Sequence, residues 1–243
     1  MATVEVNRAI NAQDVAAKAA DYCLDQLLNL QEGKPVVNFS LTGGTVGILT
    51  LKAIAENSKV NQLDLDKIHF WFGDERYVNH DSSDRNANQA REALLSQIYV
   101  ADSNIHEFPA SDSGLSVLEA SRQFETSIVK HFGDDKPVMD LMLLGMGPDG
   151  HVASLFPTHT YPDTLIVAEE DSPKPPPQRL SMSMEMINSS TEIVFVVSGL
   201  DKAAVIEQVH KDPECDLPAA KVSARDKTLW IIDEAAGAAF WSC

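Results

Sequence analysis

The densest concentration of chemistry-bearing residues is the stretch LGMGPDGHVASLFP, residues 144–157. An apolar run leads into it, three glycines and a proline fall within six residues, and then one histidine stands alone. Glycine permits a tight turn and a close approach of ligand to backbone. Imidazole changes protonation nearest neutral pH, which makes His151 a candidate general base. Asp149, two residues earlier, is placed to fix the tautomer of that ring. The other histidines, His69, His80, His106, His131, His159 and His210, have no such setting. No HExxH pattern and no close His/Cys grouping occurs, so no metal is expected.

Further segments suit an anion. Thr42-Gly43-Gly44-Thr45 joins an apolar run to a helical pattern. Paired glycines open the backbone there, and a helix N-terminus offers unpaired N–H groups. The segment is neither the GxxxxGK[ST] nor the GxGxxG nucleotide pattern; read alone, it is equally a plain strand–turn–helix. Gly73-Asp74-Glu75-Arg76 sets two acids and a cation after a second apolar run. Arg76 suits a bidentate grip on phosphate, and Asp74 suits holding a sugar hydroxyl or a neighbouring group. A solvated loop with a local ion pair fits the same residues. Arg179 follows a proline patch, and Lys202 opens a helical pattern, where its charge opposes the helix dipole unless an anion lies near.

The elements that must position these residues follow from periodicity. Short apolar runs at 36–40, 68–72, 139–144, 192–198 and 228–232 predict buried strands. Helical spacing predicts helices over 13–30, 45–57, 86–98, 114–130 and from 201 to about 210. This alternation predicts an α/β fold: a mostly parallel, open, Rossmann-like sheet with helices on both faces. With 243 residues and 44% hydrophobic content, the chain can bury one core, and a single domain over 1–243 is expected. The three glycine- or acid-rich loops each follow the carboxyl end of a predicted strand, where open α/β sheets bind ligands. The patch at 172–177, SPKPPP, reads as a stiff surface loop.

Asp and Glu number 36 against 19 Lys and Arg, a net charge of −17. Such a surface repels nucleic acid and anionic membranes, so neither is an expected partner. Any phosphate site must then be built from specific cations and backbone N–H groups. Three scattered cysteines without a CxxC, no apolar signal segment and no run of about 20 apolar residues predict a cytoplasmic protein with free thiols. A monomer or weak homo-oligomer is expected.

Taken together, these residues resemble the 6-phosphogluconolactonase family over nearly the whole chain. The family's glycine loop is similar to 42–47, its Asp-Glu-Arg loop to 74–76, and the following Asp-Ser-Asn to Asp84-Arg85-Asn86. Its most specific motif, GMGPDGH-x-ASLFP, is matched by 145–157. Its Lys-Pro-Pro…Arg stretch is similar to 174–179, its Gly-x-x-Lys step to 199–202, its Pro-Ala-Ser to 218–220, and its closing Trp…Asp…Ala-Ala to 230–236. Two positions depart: Gly47 stands where proline is usual and is expected to loosen a helix start, and Arg85 replaces a serine and is expected to alter a loop contact.

The resemblance implies the open sheet shared with ribose-phosphate isomerase and glucosamine-6-phosphate deaminase. It also implies hydrolysis of a phosphorylated sugar lactone, 6-phosphoglucono-δ-lactone, in the oxidative pentose phosphate pathway without metal or cofactor. On that reading Thr42, Gly43, Gly44, Asp74, Arg76, Arg179 and Lys202 bind the substrate and its phosphate. His151, with Asp149, takes a proton from water, and N–H groups of the glycine turns face the developing oxyanion. An amino-sugar phosphate isomerase/deaminase of the same fold is disfavoured because Phe156 stands where that family's motif carries a glutamate. A non-catalytic sugar-phosphate sensor is disfavoured by the absence of a basic DNA-binding segment.

Overall fold

Five short apolar runs form five of the six strands of one sheet. The computed structural model of the chain describes residues 2–239. In chain order the elements are β1 (Thr3–Ala9), α1 (Ala12–Gly33), β2 (Val37–Leu41), α2 (Gly44–Glu56), β3 (Ile68–Phe72), β4 (Asp74–Arg76), α3 (Asn86–Ala90), α4 (Val117–Phe132) and β5 (Leu141–Leu144). They continue with β6 (Ile166–Glu169), β7 (Arg179–Met182), α5 (Met184–Asn188), β8 (Glu192–Val197), α6 (Ala203–Lys211) and β9 (Lys227–Asp233). All five predicted strands are present, as β2, β3, β5, β8 and β9. They lie in a six-stranded sheet of order β1-β9-β8-β5-β2-β3 in which every pair is parallel. Every residue of β2 and of β5 is buried, as a central strand covered on both faces requires. Each fully buried Val, Phe, Leu or Met there contributes about 1.5–3 kcal/mol of burial free energy.

The strand order reverses beside β2. The chain runs from β2 to β3 on one side, then crosses to β5 on the other side and continues outward to β8 and β9. The loops after β2 and β5 therefore leave in opposite directions and open a crevice between them.

Three features differ from the sequence-based expectation. The edge strand β1 was not predicted. Its residues Val4, Val6 and Ala9 are interspersed with polar ones and most of it is exposed, so it shows no buried run and is held by its backbone ladder to β9. A second, antiparallel sheet of order β4-β7-β6 also exists. Its strands have three or four residues and carry Asp74, Arg76 and Arg179, which mask any apolar pattern. Phe39 and Leu144 of the first sheet and Val167 and Leu180 of the second belong to one continuous hydrophobic cluster. The helix expected over 86–98 is α3 followed by a π turn, Arg91–Leu95. Helix α4 starts at Ser116, whose hydroxyl accepts from the Glu119 N–H while the Glu119 carboxylate accepts from the Ser116 N–H. No described helix is long and apolar enough to cross a membrane. Cys23 and Cys215 are buried free thiols, and Cys243 lies outside the described residues.

In β4 the side chains alternate. Asp74 and Arg76 face one way, and Glu75 points into the core. Glu75 is wholly buried and accepts from the backbone N–H groups of Arg76 (2.8 Å), Asn86 (2.6 Å) and Ala87 (3.0 Å). It thus ties the start of α3 beneath β4. Burial pushes its carboxyl up to about 7, opposed by the nearby Arg85 guanidinium and these N–H groups. Arg85 does make a loop contact, but a buried one: it donates to the Phe108 carbonyl at 2.8 Å and lies 3.7 Å from Glu75 and 3.7 Å from Glu107. Its departure from the family's serine supplies a counter-charge to the acid that holds α3. Arg85→Ala leaves that acid buried without its cation and is expected to cost about 3–5 kcal/mol in urea unfolding. A loss below about 1 kcal/mol, that of an ordinary substitution, would show that the pair does not hold this loop.

Candidate active site

The glycine-rich loop after β5 closes on itself. The Gly147 N–H donates to the His151 carbonyl at 2.9 Å, and the Gly150 N–H donates to the Gly147 carbonyl at 3.0 Å. Inside this loop the His151 Nδ1 lies 2.5 Å from Asp149 Oδ1. A Cβ on Gly147 would sit 2.0 Å from His151 Nδ1 and Cε1 and 2.5 Å from Asp149 Oδ1. Only glycine at 147 lets the ring and carboxylate lie against the backbone. Because the carboxylate only accepts, Nδ1 carries the proton and Nε2 keeps its lone pair. Burial lowers the His151 pKa, outweighing the opposing pull of Asp149. Burial raises the Asp149 pKa, but His151 and Lys174 reverse that and hold its carboxyl below the usual range.

The loop after β2 opens directly into α2. Gly43 caps this helix without a side-chain hydrogen bond, and no acid stands in the first turn. The first N–H groups of α2 therefore face the crevice without a side-chain acceptor. Gly43 is required by packing: a Cβ there would meet Asn86 Oδ1 at 2.0 Å. The Asn86 amide donates to the Asp74 carbonyl at 2.9 Å and reaches its carboxylate at 3.3 Å. The other oxygen of the Asp74 carboxylate accepts from the Ser154 hydroxyl at 2.6 Å.

The second sheet supplies paired cations. Its register places Arg76 directly opposite Arg179. Like charges facing across a ladder repel unless an anion lies between or beside them. Arg76 donates through Nη1 to the Asp84 carbonyl at 2.8 Å, and its buried Nε has no protein partner. Arg179 is more occupied than expected. Its Nε donates to the Pro176 carbonyl (3.0 Å), and its Nη2 donates to the carbonyls of Lys174 (3.2 Å) and Pro175 (3.0 Å). It clamps the proline-rich loop as well as facing the crevice. Lys202 comes from the far side, at the end of a 3-10 turn rather than inside the helix, and is paired with Asp201.

These groups surround one cavity of about 550 Å³, and every expected site residue except Asp149 lines it. Asp149 stands behind His151. Several contributors were not foreseen. Lys174 lines the cavity and lies 3.8 Å from Asp149; its place at the head of the proline run and its place in the family's Lys-Pro-Pro…Arg stretch were the signals for it. Asn86 and Ser154 organise Asp74 by contacts across 12 and 80 residues, which no local pattern reveals. The expected oxyanion donors are partly corrected: the N–H groups of Gly147 and Gly150 are spent inside their own loop.

Residues 10–230 match the family model of glucosamine-6-phosphate isomerases/6-phosphogluconolactonase. A 6-phosphogluconolactonase of Mycobacterium leprae is 39% identical over 206 residues, 82% of this chain and 83% of that protein. One from Rattus norvegicus is 33% identical over 231 residues, 92% of this chain and 89% of that one. The crystal structure of 6-phosphogluconolactonase from Thermotoga maritima matches with a TM-score of 0.84 at 27% identity, over 95% of this chain and 100% of that one. The match of residues 10–230 to that family model, with relatives 33% and 39% identical over most of their length, places this chain in the glucosamine-6-phosphate isomerase/6-phosphogluconolactonase family.

Proposed function

We propose that the chain hydrolyses 6-phosphoglucono-δ-lactone to 6-phosphogluconate. One observation carries this reading: a His–Asp pair with a free imidazole nitrogen shares a cavity with an uncapped helix N-terminus and two facing arginines. The volume suits a phosphorylated hexose, since small-ligand sites run from about 300 to 1,000 Å³. Similarity to the named lactonases supports the substrate. Phe156, whose ring centroid is 4.8 Å from that of His151, puts an apolar face where a proton-moving carboxylate would be needed for an amino-sugar isomerase.

In this mechanism the substrate phosphate sits at the first turn of α2 with Arg76, Arg179 and Lys202. A water molecule loses a proton to His151 Nε2 as its oxygen bonds to the lactone carbonyl carbon. The carbonyl π pair moves onto oxygen, giving a tetrahedral oxyanion. As the carbonyl re-forms, the bond from that carbon to the ring oxygen breaks, and the imidazolium returns its proton to the departing oxygen. Asp149 stabilises the transient imidazolium and holds the ring in register. Asp74, fixed by Ser154 and Asn86, is placed to accept from a sugar hydroxyl. We place the protein in the cytoplasm, a reducing setting that suits its buried free thiols.

Two outcomes test the scheme. His151→Ala is expected to lower kcat about 100-fold or more with the fold intact by circular dichroism. Since only the neutral ring is a base, wild-type kcat should fall with acid. The midpoint should lie below the ordinary imidazole value of about 6.5, because burial depresses this pKa. A near-normal kcat in the folded variant would remove His151 from the chemistry, and a midpoint above that value would contradict the burial argument. For the phosphate, Arg76→Ala should raise KM strongly, and the non-phosphorylated lactone should be a poor wild-type substrate. Equal kcat/KM for the two lactones would overturn the assignment of the cation-lined end.

A further inference from the structure

A second cluster of chemistry-bearing side chains lies outside the cavity. His69 is the second residue of β3, the edge strand of the main sheet. His106 follows a bridge between Ile105 and Phe70, and its N–H donates to the Phe70 carbonyl at 2.9 Å. His131 lies in the last turn of α4. These segments are 25 to 62 residues apart, yet one ring nitrogen from each comes within 4.8 Å of the other two. His69 Nδ1 and His106 Nε2 share a hydrogen bond of 2.8 Å, and a cation bound between them would take the place of the shared proton. None of the three lines the cavity that holds His151.

We propose that His69, His106 and His131 form a binding site for one divalent cation of the zinc, nickel or copper class. Imidazole nitrogen suits these borderline ions and not Mg²⁺ or Ca²⁺, which prefer oxygen. Three protein nitrogens at about 2.0–2.1 Å, with water in a fourth position, make a complete tetrahedral set. The rings are half-buried: open enough for an ion to enter, enclosed enough to be held.

The surroundings pre-set the ligands. Asn38 Oδ1 accepts from the Trp71 indole N–H at 2.9 Å, which fixes that atom as an oxygen. His131 Nε2 lies 2.9 Å from the same oxygen and must therefore carry a proton. Nδ1 of His131 is left with its lone pair, the tautomer arrangement an outer hydrogen bond imposes on a metal-binding histidine. The indole of Trp71 stacks on His106 at 3.8 Å between centroids and 8° between planes, holding that ring in place. A bound ion would pin the end of α4 to the edge strand and so raise stability by mass action.

The test uses the full chain stripped with a chelator, titrated with zinc chloride by calorimetry and with cobalt chloride by visible absorption. One equivalent of zinc should bind, cobalt should give the intense bands of a tetrahedral site, Mg²⁺ should not compete, and zinc should raise Tm. His106→Gln and His131→Gln should each abolish the bands while retaining lactone hydrolysis. Each should also weaken zinc by more than the about 10–100-fold that loss of an outer partner costs. Two substitutions are used so that one folded variant suffices. His151→Ala should bind zinc as the wild type does. Absence of stoichiometric binding by the wild type, unchanged binding in both glutamine variants, or binding lost in His151→Ala would each overturn the proposal.

Discussion

The site depends on one topological constraint. A parallel sheet whose order reverses beside β2 cannot cover the carboxyl ends of β2 and β5 with the same crossover. The two loops part, and both must end in buried strands whose backbones have no freedom left. That rigidity lets Gly43 and Gly147 be fixed by packing to their neighbours' side chains rather than by turn type alone. The second sheet then closes the crevice from above, since β4 leaves β3 after a single glycine and pairs at once with β7.

Electrostatics inside the crevice run against those of the whole chain. A net charge of −17 surrounds a cavity lined by Arg76, Arg179, Lys174 and Lys202. Each of these cations is tethered: Arg76 to the Asp84 carbonyl, Arg179 to the proline loop, Lys174 near Asp149 and Lys202 to Asp201. Tethering reduces the rotamer entropy lost on binding. An acidic exterior with a concentrated cationic interior also discourages large polyanions while leaving a small one a single favourable place to dock.

Much of this was legible in the sequence. Strands β2, β3, β5, β8 and β9 are apolar runs, and helices α1, α2 and α4 carry a regular apolar stripe, so hydrophobic periodicity exposes them. The loops between them were legible because glycine, aspartate and histidine at strand ends have few structural reasons to cluster. What was hidden is pairing at a distance. Strand β1 is an exposed edge, and β4, β6 and β7 are too short to show a period. The Arg76–Arg179 register, the Ser154–Asp74 contact and the gathering of His69, His106 and His131 arise only when segments far apart in sequence meet. Arg85 illustrates the same limit: its charge predicts a surface, and only the buried Glu75 explains its burial.

The clamp made by Arg179 ties one wall of the crevice to the loop that carries Lys174. Its guanidinium grips the carbonyls of Lys174, Pro175 and Pro176, and Ser172 closes the same loop by donating its N–H to the Pro177 carbonyl and its hydroxyl to the Lys174 carbonyl. Lys174 in turn reaches Asp149, which orients His151. One short loop therefore gives its carbonyls to the crevice's arginine and its lysine to the carboxylate behind the imidazole.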